Sequence, residues 1–233
     1  MKTLLFSSLN SRQFYCVNDS SLGLTIHVNQ VPEVWLFNCS ENTQHNLLKC
    51  HIKLSLISKI FITRFNLTNI SGLLGLLSTL NLDNHNKTLD IYGPDNLHIY
   101  LKLNSKYSQT NFSYPVKVHS IQLHSIFINA LYNIRVITFK HKVHELSYII
   151  TFRQNLGKFN LTYAVVFNIV RGRIYGNLKQ RNNFIAPDGH EIQGQLFSKI
   201  PYRGKKISII PNVKNINFIK EFCWQTDCII YTN

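Results

Sequence analysis

The sequence predicts an α/β (α+β) fold, one domain over residues 1–233 with two sheet regions, and three observations carry that expectation. A buried-type strand at 57–63 leads through a polar loop at 64–69 into an apolar helix at 71–80, Ser-Gly-Leu-Leu-Gly-Leu-Leu-Ser-Thr-Leu. A second strand, Leu89-Asp-Ile-Tyr92, stops at Gly93-Pro94 and is followed by a helix at 96–102. The stretches 116–128 and 134–150 are β-rich.

The other elements follow in chain order. Leu22, Leu24, Ile26 and Val28 alternate with smaller or polar residues, and Val34-Trp-Leu-Phe37 follows Pro32, so the pair reads as a hairpin or meander. Residues 41–51 carry Leu47 and Leu48 at helical spacing, with Ser40 placed to cap the helix. The stretch 154–194 is polar, basic and weakly periodic, an excursion rather than core. Ile207-Ser-Ile-Ile210 and Cys228-Ile-Ile-Tyr231 are two final short strands. The loop leaving the 57–63 strand is the first place to look for chemistry, because α/β proteins commonly seat ligands where a loop leaves the carboxyl end of a buried strand.

Composition bounds the function. With 45% hydrophobic and 15% charged residues, the chain is neither a disordered polyelectrolyte nor a fibrous repeat. Lys and Arg number 25 against 11 Asp and Glu, a net charge of +14 that permits a polyanionic partner. The bias toward 26 Asn and 27 Ile against 3 Ala matches an A/T-rich coding sequence, such as that of an organelle, endosymbiont or parasite. Five cysteines, an odd number at irregular spacing, fit a reducing compartment. The apolar run near Met1 is too short for a signal peptide, and no run reaches the ~18 apolar residues that span a bilayer.

No phosphate-binding glycine loop, P-loop or nucleophile elbow occurs. His141-Lys-Val-His144-Glu145 comes nearest to a metal pattern, but strand alternation puts its two imidazoles on opposite faces. Cys223 and Cys228 lack a second ligand pair nearby.

The strand-loop-helix unit is more telling. Lys59-Ile-Phe-Ile-Thr-Arg-Phe-Asn-Leu-Thr-Asn-Ile-Ser-Gly-Leu-Leu-Gly-Leu-Leu-Ser78 closely resembles the hallmark segment of the tRNase Z (ribonuclease Z) family. In that family a strand is followed by His-x-His-x-Asp-His and a Gly-Leu-Pro-Gly-Leu-Leu helix. Trp35-Leu-Phe-Asn-Cys-Ser-Glu-Asn-Thr-Gln-His45 is similar to the family's Trp-Leu-Phe-Asp-Cys-Gly-Glu-Gly-Thr-Gln-His, and Ile91-Tyr-Gly-Pro94 to its Gly-Pro turn. Residues 141–148 resemble its histidine strand, Gly157-Lys-Phe-Asn160 and Tyr175-Gly-Asn-Leu-Lys179 its flexible arm, and Pro187-Asp-Gly189 the turn after it. The resemblance implies a metallo-β-lactamase-like αββα sandwich, with the arm over about 154–194, and relation to zinc-dependent endonucleases that trim the 3′ trailer of precursor tRNA. It points to plastid-encoded reading frames of algae, hence a plastid (chloroplast) location.

At the family's ligand positions this sequence departs. Arg64, Asn66, Thr68 and Asn69 stand there, Thr68 in place of the aspartate that is ligand and general base, and Asn212 in place of the bridging aspartate. Only His141 keeps a ligand-type side chain; the last family histidine would fall beyond Asn233, and Tyr231 and Thr232 replace a His-Glu pair. A dinuclear zinc site needs several imidazoles and carboxylates around an activated water. A fixed guanidinium at 64 opposes a dication. The expectation is a catalytically inactive homologue with no metal cofactor. The alternative is an active tRNA 3′-processing endoribonuclease, with ligands drawn from elsewhere in the chain.

Binding is the function left to expect. In the family the arm grips the tRNA elbow, and in the homodimer one subunit's arm serves the other's site. The corresponding stretch here carries Lys158, Arg171, Gly172, Arg173, Lys179 and Arg181, with no acid between Gly157 and Pro187. It implies retained contact with tRNA or precursor tRNA, and a homodimer or a heterodimer with an active tRNase Z. The chain's end at Asn233 adds the expectation of an exposed sheet edge needing cover. Glu41 and His45 are expected to hold local structure by hydrogen bonding.

Overall fold

The computed structural model describes residues 14–19, 23–28, 31–121, 126–139, 142–154, 156–185, 189–199, 203–211, 219 and 221–232. The first sheet contains β1 (Phe14–Asp19), β2 (Gly23–Val28), β3 (Glu33–Phe37), β4 (Ile57–Phe61), β5 (Leu89–Gly93) and β6 (Val116–Ser120), in that spatial order. β1 to β3 pair antiparallel, and β3 to β6 pair parallel. The second sheet has the order β13-β12-β9-β8-β7, from β7 (Ile126–Ile128), β8 (Tyr132–Phe139), β9 (Lys142–Phe152), β12 (Lys206–Pro211) and β13 (Cys228–Thr232).

β3, β4 and β5 are buried on both faces, as parallel strands are, apart from the partly exposed Glu33, Lys59 and Asp90. On one face, Leu36, Ile60, Ile62 and Ile91 share a core with helices α1 (Thr43–Lys49), α3 (Leu73–Leu82) and α4 (Asn96–Ser108). Helix α3 supplies Leu73, Leu76, Leu77 and Leu80, a stripe at spacings of three and four. The other face is an aromatic ladder: Phe37 stacks on Phe61 at 4.7 Å, Phe61 on Tyr92 at 5.0 Å, and Tyr92 on His119 at 4.6 Å. The second sheet meets that ladder edge-on, with Tyr148 of β9 at 5.2 Å from Phe61 and Phe127 of β7 at 4.7 Å from Tyr92. Offset and edge-to-face ring pairs of this kind add about 1 kcal/mol each beyond their burial. On the second sheet, Ile149, Ile210 and Phe222 form a further cluster, against which Ile137 and Ile219 pack. Two sheets facing each other across the ladder, with α1, α3 and α4 on the outer face of the first, agree with the αββα sandwich that the resemblance implies.

The chain divides into two compact units, one of 1–128, 134–150 and 207–233, the other of 129–133 and 151–206. The second unit holds the stretch expected as an excursion, and it carries order that periodicity does not reveal. Helices α5 (Leu161–Val166) and α6 (Arg173–Lys179) and a small hairpin of β10 (Phe184–Ile185) and β11 (Glu191–Ile192) surround Ala164, Leu178 and Phe197. Phe159 and Tyr175 close this core at 4.8 Å.

Several boundaries differ from expectation. The helix expected at 71–80 begins after a separate turn, α2 (Leu67–Ile70), and Gly72 sits between the two. Ser40 does not cap α1; Asn42 occupies that position in the left-handed region, φ 62°, without a side-chain cap bond, and the Ser40 carbonyl accepts from the Thr43 hydroxyl at 2.6 Å. Helix α4 runs beyond its apolar stripe to Ser108, where Gln109 ends it in the left-handed region, φ 52°. No helix among the described residues is long and apolar enough to cross a membrane.

Burial gives the fold an acid sensitivity. His27 on β2 is buried, and desolvation pushes its imidazole from 6.5 down to about 4. Burial shifts His85 the same way, helped by the charge of Lys87. The unfolded chain therefore takes up protons that the folded chain refuses. The stability is complete above about pH 6.5 and is lost as pH falls from there toward about 4, with His27 alone contributing roughly 3 kcal/mol. Urea unfolding midpoints should fall between neutral and mildly acidic pH, and His27→Gln should flatten that dependence.

Candidate functional site

Three elements of the first unit position the loop after β4. β4 delivers Ile62 and Thr63, the carbonyl of Thr63 accepts from Leu146 N–H of β9 at 2.7 Å, and Ile62 O accepts from the buried Tyr148 hydroxyl at 2.8 Å. Burial raises the Tyr148 phenol well above its usual range, so it stays a neutral donor. From β3, Asn38 turns in the left-handed region, φ 61°, which asparagine tolerates, and its Oδ1 accepts from Thr63 N–H at 2.8 Å and Thr63 Oγ1 at 3.0 Å. From the α2 side, Asn69 Nδ2 donates to Thr63 Oγ1 at 3.4 Å, and Asn69 O accepts from Cys39 N–H at 2.7 Å. Thr63 is thus a buried node joining β3, β4 and β9.

The sequence-predicted site residues diverge from that node. Arg64 makes an ion pair with Glu145 of β9, Nε to Oε1 3.4 Å, beside an antiparallel backbone bridge between the same residues. Their side chains are 23% and 12% exposed, so the pair is largely shielded from water. Asn66 is the N-cap of α2, its Oδ1 accepting from Asn69 N–H at 3.1 Å. Asn69 is buried; Thr68 is exposed and its hydroxyl donates to Asn69 Oδ1 at 3.4 Å. Asn212 and His141 lie outside the described residues, as does the side chain of His144. At the end of the chain, Thr232 Oγ1 reaches Thr63 Oγ1 at 3.5 Å, and Tyr231 is half exposed.

The described side chains at these positions are engaged with protein partners. One position carries a cation already matched by a carboxylate, another spends its amide oxygen on a helix cap, and no group of three or more His, Cys, Asp or Glu gathers among the described residues. The adjacent Cys39 is no reserve ligand or nucleophile, because burial pushes its thiol up to about 12. Cys39, Cys50, Cys223 and Cys228 form no disulfide.

Beside the loop, α1 and α2 border an open cleft of about 990 Å³, lined by Glu41, Asn42, His45, Lys49, Leu67 and Thr68 among others. The expectation that Glu41 and His45 secure local structure fails here. Both are exposed, and neither side chain makes a hydrogen bond or ion pair among the described residues. The physical reason is that Thr43, buried under the helix, takes the Ser40 carbonyl and leaves the polar face of α1 to the cleft. Their spacing of four could have shown that face; the facing wall from α2 could not be read from sequence.

In the second unit, Lys158, Arg171, Gly172, Arg173 and Lys179 are exposed. Arg181 is instead anchored, donating from Nε to Ser198 Oγ at 3.1 Å and from a terminal nitrogen to Lys199 O at 3.2 Å. Lys179 lies in the last turn of α6, where a cation complements the helix dipole.

No family model matches the chain. The ycf56 protein of Porphyra purpurea is 38% identical over 233 residues, covering all of this chain and 88% of its own length. That of Pyropia yezoensis is 39% identical over 226 residues, covering 84% of its length. Ribonuclease Z of Cyanothece sp. is 35% identical over 92% of this chain, which spans 66% of that relative's length. Among solved structures, the short form of human tRNase Z superposes with a TM-score of 0.57 at 19% identity, over 88% of this chain and 68% of that one. A long-form RNase Z from yeast gives 0.61 at 15% identity, over 94% of this chain and 32% of its own. The structural likenesses establish the sandwich, and the sequence likenesses carry the family: the chain belongs to the ribonuclease Z family.

Proposed function

We propose that the protein is a catalytically inactive, plastid-resident relative of the tRNA 3′-processing endonucleases, one that holds no zinc and binds tRNA through its second unit. The observation that carries this reading is the Arg64–Glu145 ion pair in the loop where the family's ligands stand. A guanidinium ion-paired with a carboxylate keeps a fixed positive charge in that loop, which opposes a dication and the water it would activate. The location rests on the red algal ycf56 relatives together with the A/T-rich coding bias.

RNA binding is supported by Lys158, Arg171, Arg173 and Lys179, exposed cations on one small unit with no acid between Gly157 and Pro187. Cations of this kind neutralise phosphates and release counter-ions, so affinity falls steeply with salt. A gel-shift titration with a precursor tRNA should give a salt-sensitive complex. The variant Arg171→Ala/Arg173→Ala/Lys179→Ala should reduce the slope of log affinity against log salt by roughly two to three. Zinc analysis of the native protein should find none. Two zinc ions per chain, with trailer cleavage abolished by a chelator, would instead establish the active-endonuclease reading. A homodimer, or a heterodimer with an active tRNase Z, belongs to this proposal and is decided by light scattering.

A further inference from the structure

Helix α5 is apolar around most of its circumference, yet little of it is covered. Of Leu161-Thr-Tyr-Ala-Val-Val166, Ala164 alone is buried, in the core it shares with Leu178 and Phe197. A helix that is hydrophobic all round is ordinarily sunk in a core. Here Leu161 is 53% exposed, Val165 70%, Val166 75%, and Val170, in the turn beyond the helix, 81%.

The way the helix ends fixes this exposure. Asn168 takes the left-handed region, φ 51°, its N–H donates to Val165 O at 3.0 Å, and Ile169 N–H donates to Ala164 O at 2.9 Å. That pair of bonds closes the helix, with asparagine at the position where glycine is commonest. Ile169 packs against the unit's core, and its carbonyl accepts from the Tyr175 hydroxyl of α6 at 3.1 Å. The turn from α5 to α6 is therefore held in place, and Val166 and Val170 are solvent-facing in the folded unit. Cations adjoin them along the chain. Arg171 and Arg173 follow Val170, Lys158 precedes α5, all three are exposed, and no acid occurs between Gly157 and Pro187.

An occupant of this face has to be apolar at its centre and anionic at its border. A nucleic acid supplies the anions but no apolar phase for adjoining aliphatic side chains. A second copy would bring the same cations and a net charge of +14. An anionic lipid surface supplies both, acyl chains beneath negative headgroups. We propose that α5 and the turn to Arg173 form a peripheral membrane contact, with Val166 and Val170 entering the acyl boundary of an anionic lipid surface and Arg171 and Arg173 at its headgroups. Such a contact lies on a bilayer and does not cross it. It goes beyond the RNA reading above: the cations suit either ligand, the aliphatic tip lipid alone.

Flotation of the full chain with vesicles of phosphatidylcholine and phosphatidylglycerol, about three to one, tests this against vesicles of phosphatidylcholine only. The chain should float with the anionic vesicles and not with the neutral ones, and added salt should weaken the binding. Val166→Ser/Val170→Ser should lower vesicle partitioning at least about tenfold through lost apolar contact, while the gel-shift affinity for precursor tRNA stays within about twofold. Both positions are exposed, so the exchange leaves the core intact. No flotation with anionic vesicles, or flotation that Val166→Ser/Val170→Ser leaves unchanged, would overturn the membrane assignment; tRNA binding in the same preparations would leave the RNA reading standing. A tRNA affinity that falls in parallel with vesicle binding would overturn it by making the tip part of the RNA contact. A dimer in light scattering that the serine variant dissociates would overturn it in favour of a second copy.

Discussion

Gly72→Ala is expected to unfold most of the population under conditions where the parent chain is folded, at a cost of about 4 kcal/mol or more. A Cβ at position 72 would lie 2.0 Å from the backbone oxygen of Ser40 and 2.9 Å from its carbonyl carbon. Neither atom can move alone. Gly72 N–H donates to Cys39 O at 3.0 Å, and Cys39 N–H donates to Asn69 O at 2.7 Å, so the turn after β3 and the start of α3 are laced together on both sides of the contact. Relieving the clash requires parting α3 from that turn, which breaks those bonds and opens the core around Leu73, Leu76 and Cys39. The sister position gives an internal comparison. At Gly75 the nearest atom to a Cβ is Gln44 Oε1 at 2.8 Å, the far end of a flexible, partly exposed side chain. Gly75→Ala should be nearly neutral or stabilising by up to about 1 kcal/mol, because alanine is the better helix former within α3. Denaturant unfolding of the two variants in parallel measures the contrast; a Gly72→Ala midpoint within about 1 kcal/mol of the parent would show that the turn is more compliant than these contacts imply.

The same pair of glycines shows what was legible in the sequence and what was not. The strand-loop-helix unit could be read because β4 is apolar enough to be buried on both faces and α3 keeps its leucines in one stripe. The break at 71–72 could not, because it is imposed by a backbone from a different strand approaching Gly72. β1 escaped for the opposite reason: Phe-Tyr-Cys-Val-Asn-Asp lacks an alternating pattern, and only pairing with β2 makes it a strand. The second unit hid its order in a handful of residues, since a core centred on Ala164, Leu178 and Phe197 leaves most of each helix surface exposed and the periodicity faint. At the site, the loss of ligand types at 64, 66, 68 and 69 could be read directly. What replaced them could not, because Glu145 belongs to the other sheet and its pairing with Arg64 depends on the register of β9 against the loop.

Arg64→Ala should cost about 2 kcal/mol, less than the 3–5 kcal/mol typical of a fully buried pair because both partners retain some access to water. The cost arises from Glu145, whose carboxylate would keep its shielded place on β9 after losing this ion pair. Glu145→Ala should destabilise comparably, since it removes the carboxylate paired with the guanidinium in the same loop. The double variant Arg64→Ala/Glu145→Ala should cost less than the sum, giving a coupling of about 1 kcal/mol in a double-mutant cycle; an apolar exchange, Arg64→Met with Glu145→Leu, should recover most of the loss. The bonds donated by Leu146 N–H to Thr63 O and by the Tyr148 hydroxyl to Ile62 O involve neither side chain, so the sheets stay joined in every variant and the cycle isolates the side-chain term. Zinc supplies the decisive arm. A ligand that binds only the folded state raises stability by RT ln(1 + [L]/Kd), so excess zinc should leave the midpoint of all four proteins unmoved if protein groups alone hold this loop. A zinc-dependent rise confined to chains carrying Arg64→Ala would mean that the guanidinium masks a competent ligand set. A rise in the parent chain would mean that Arg64 does not exclude the metal at all.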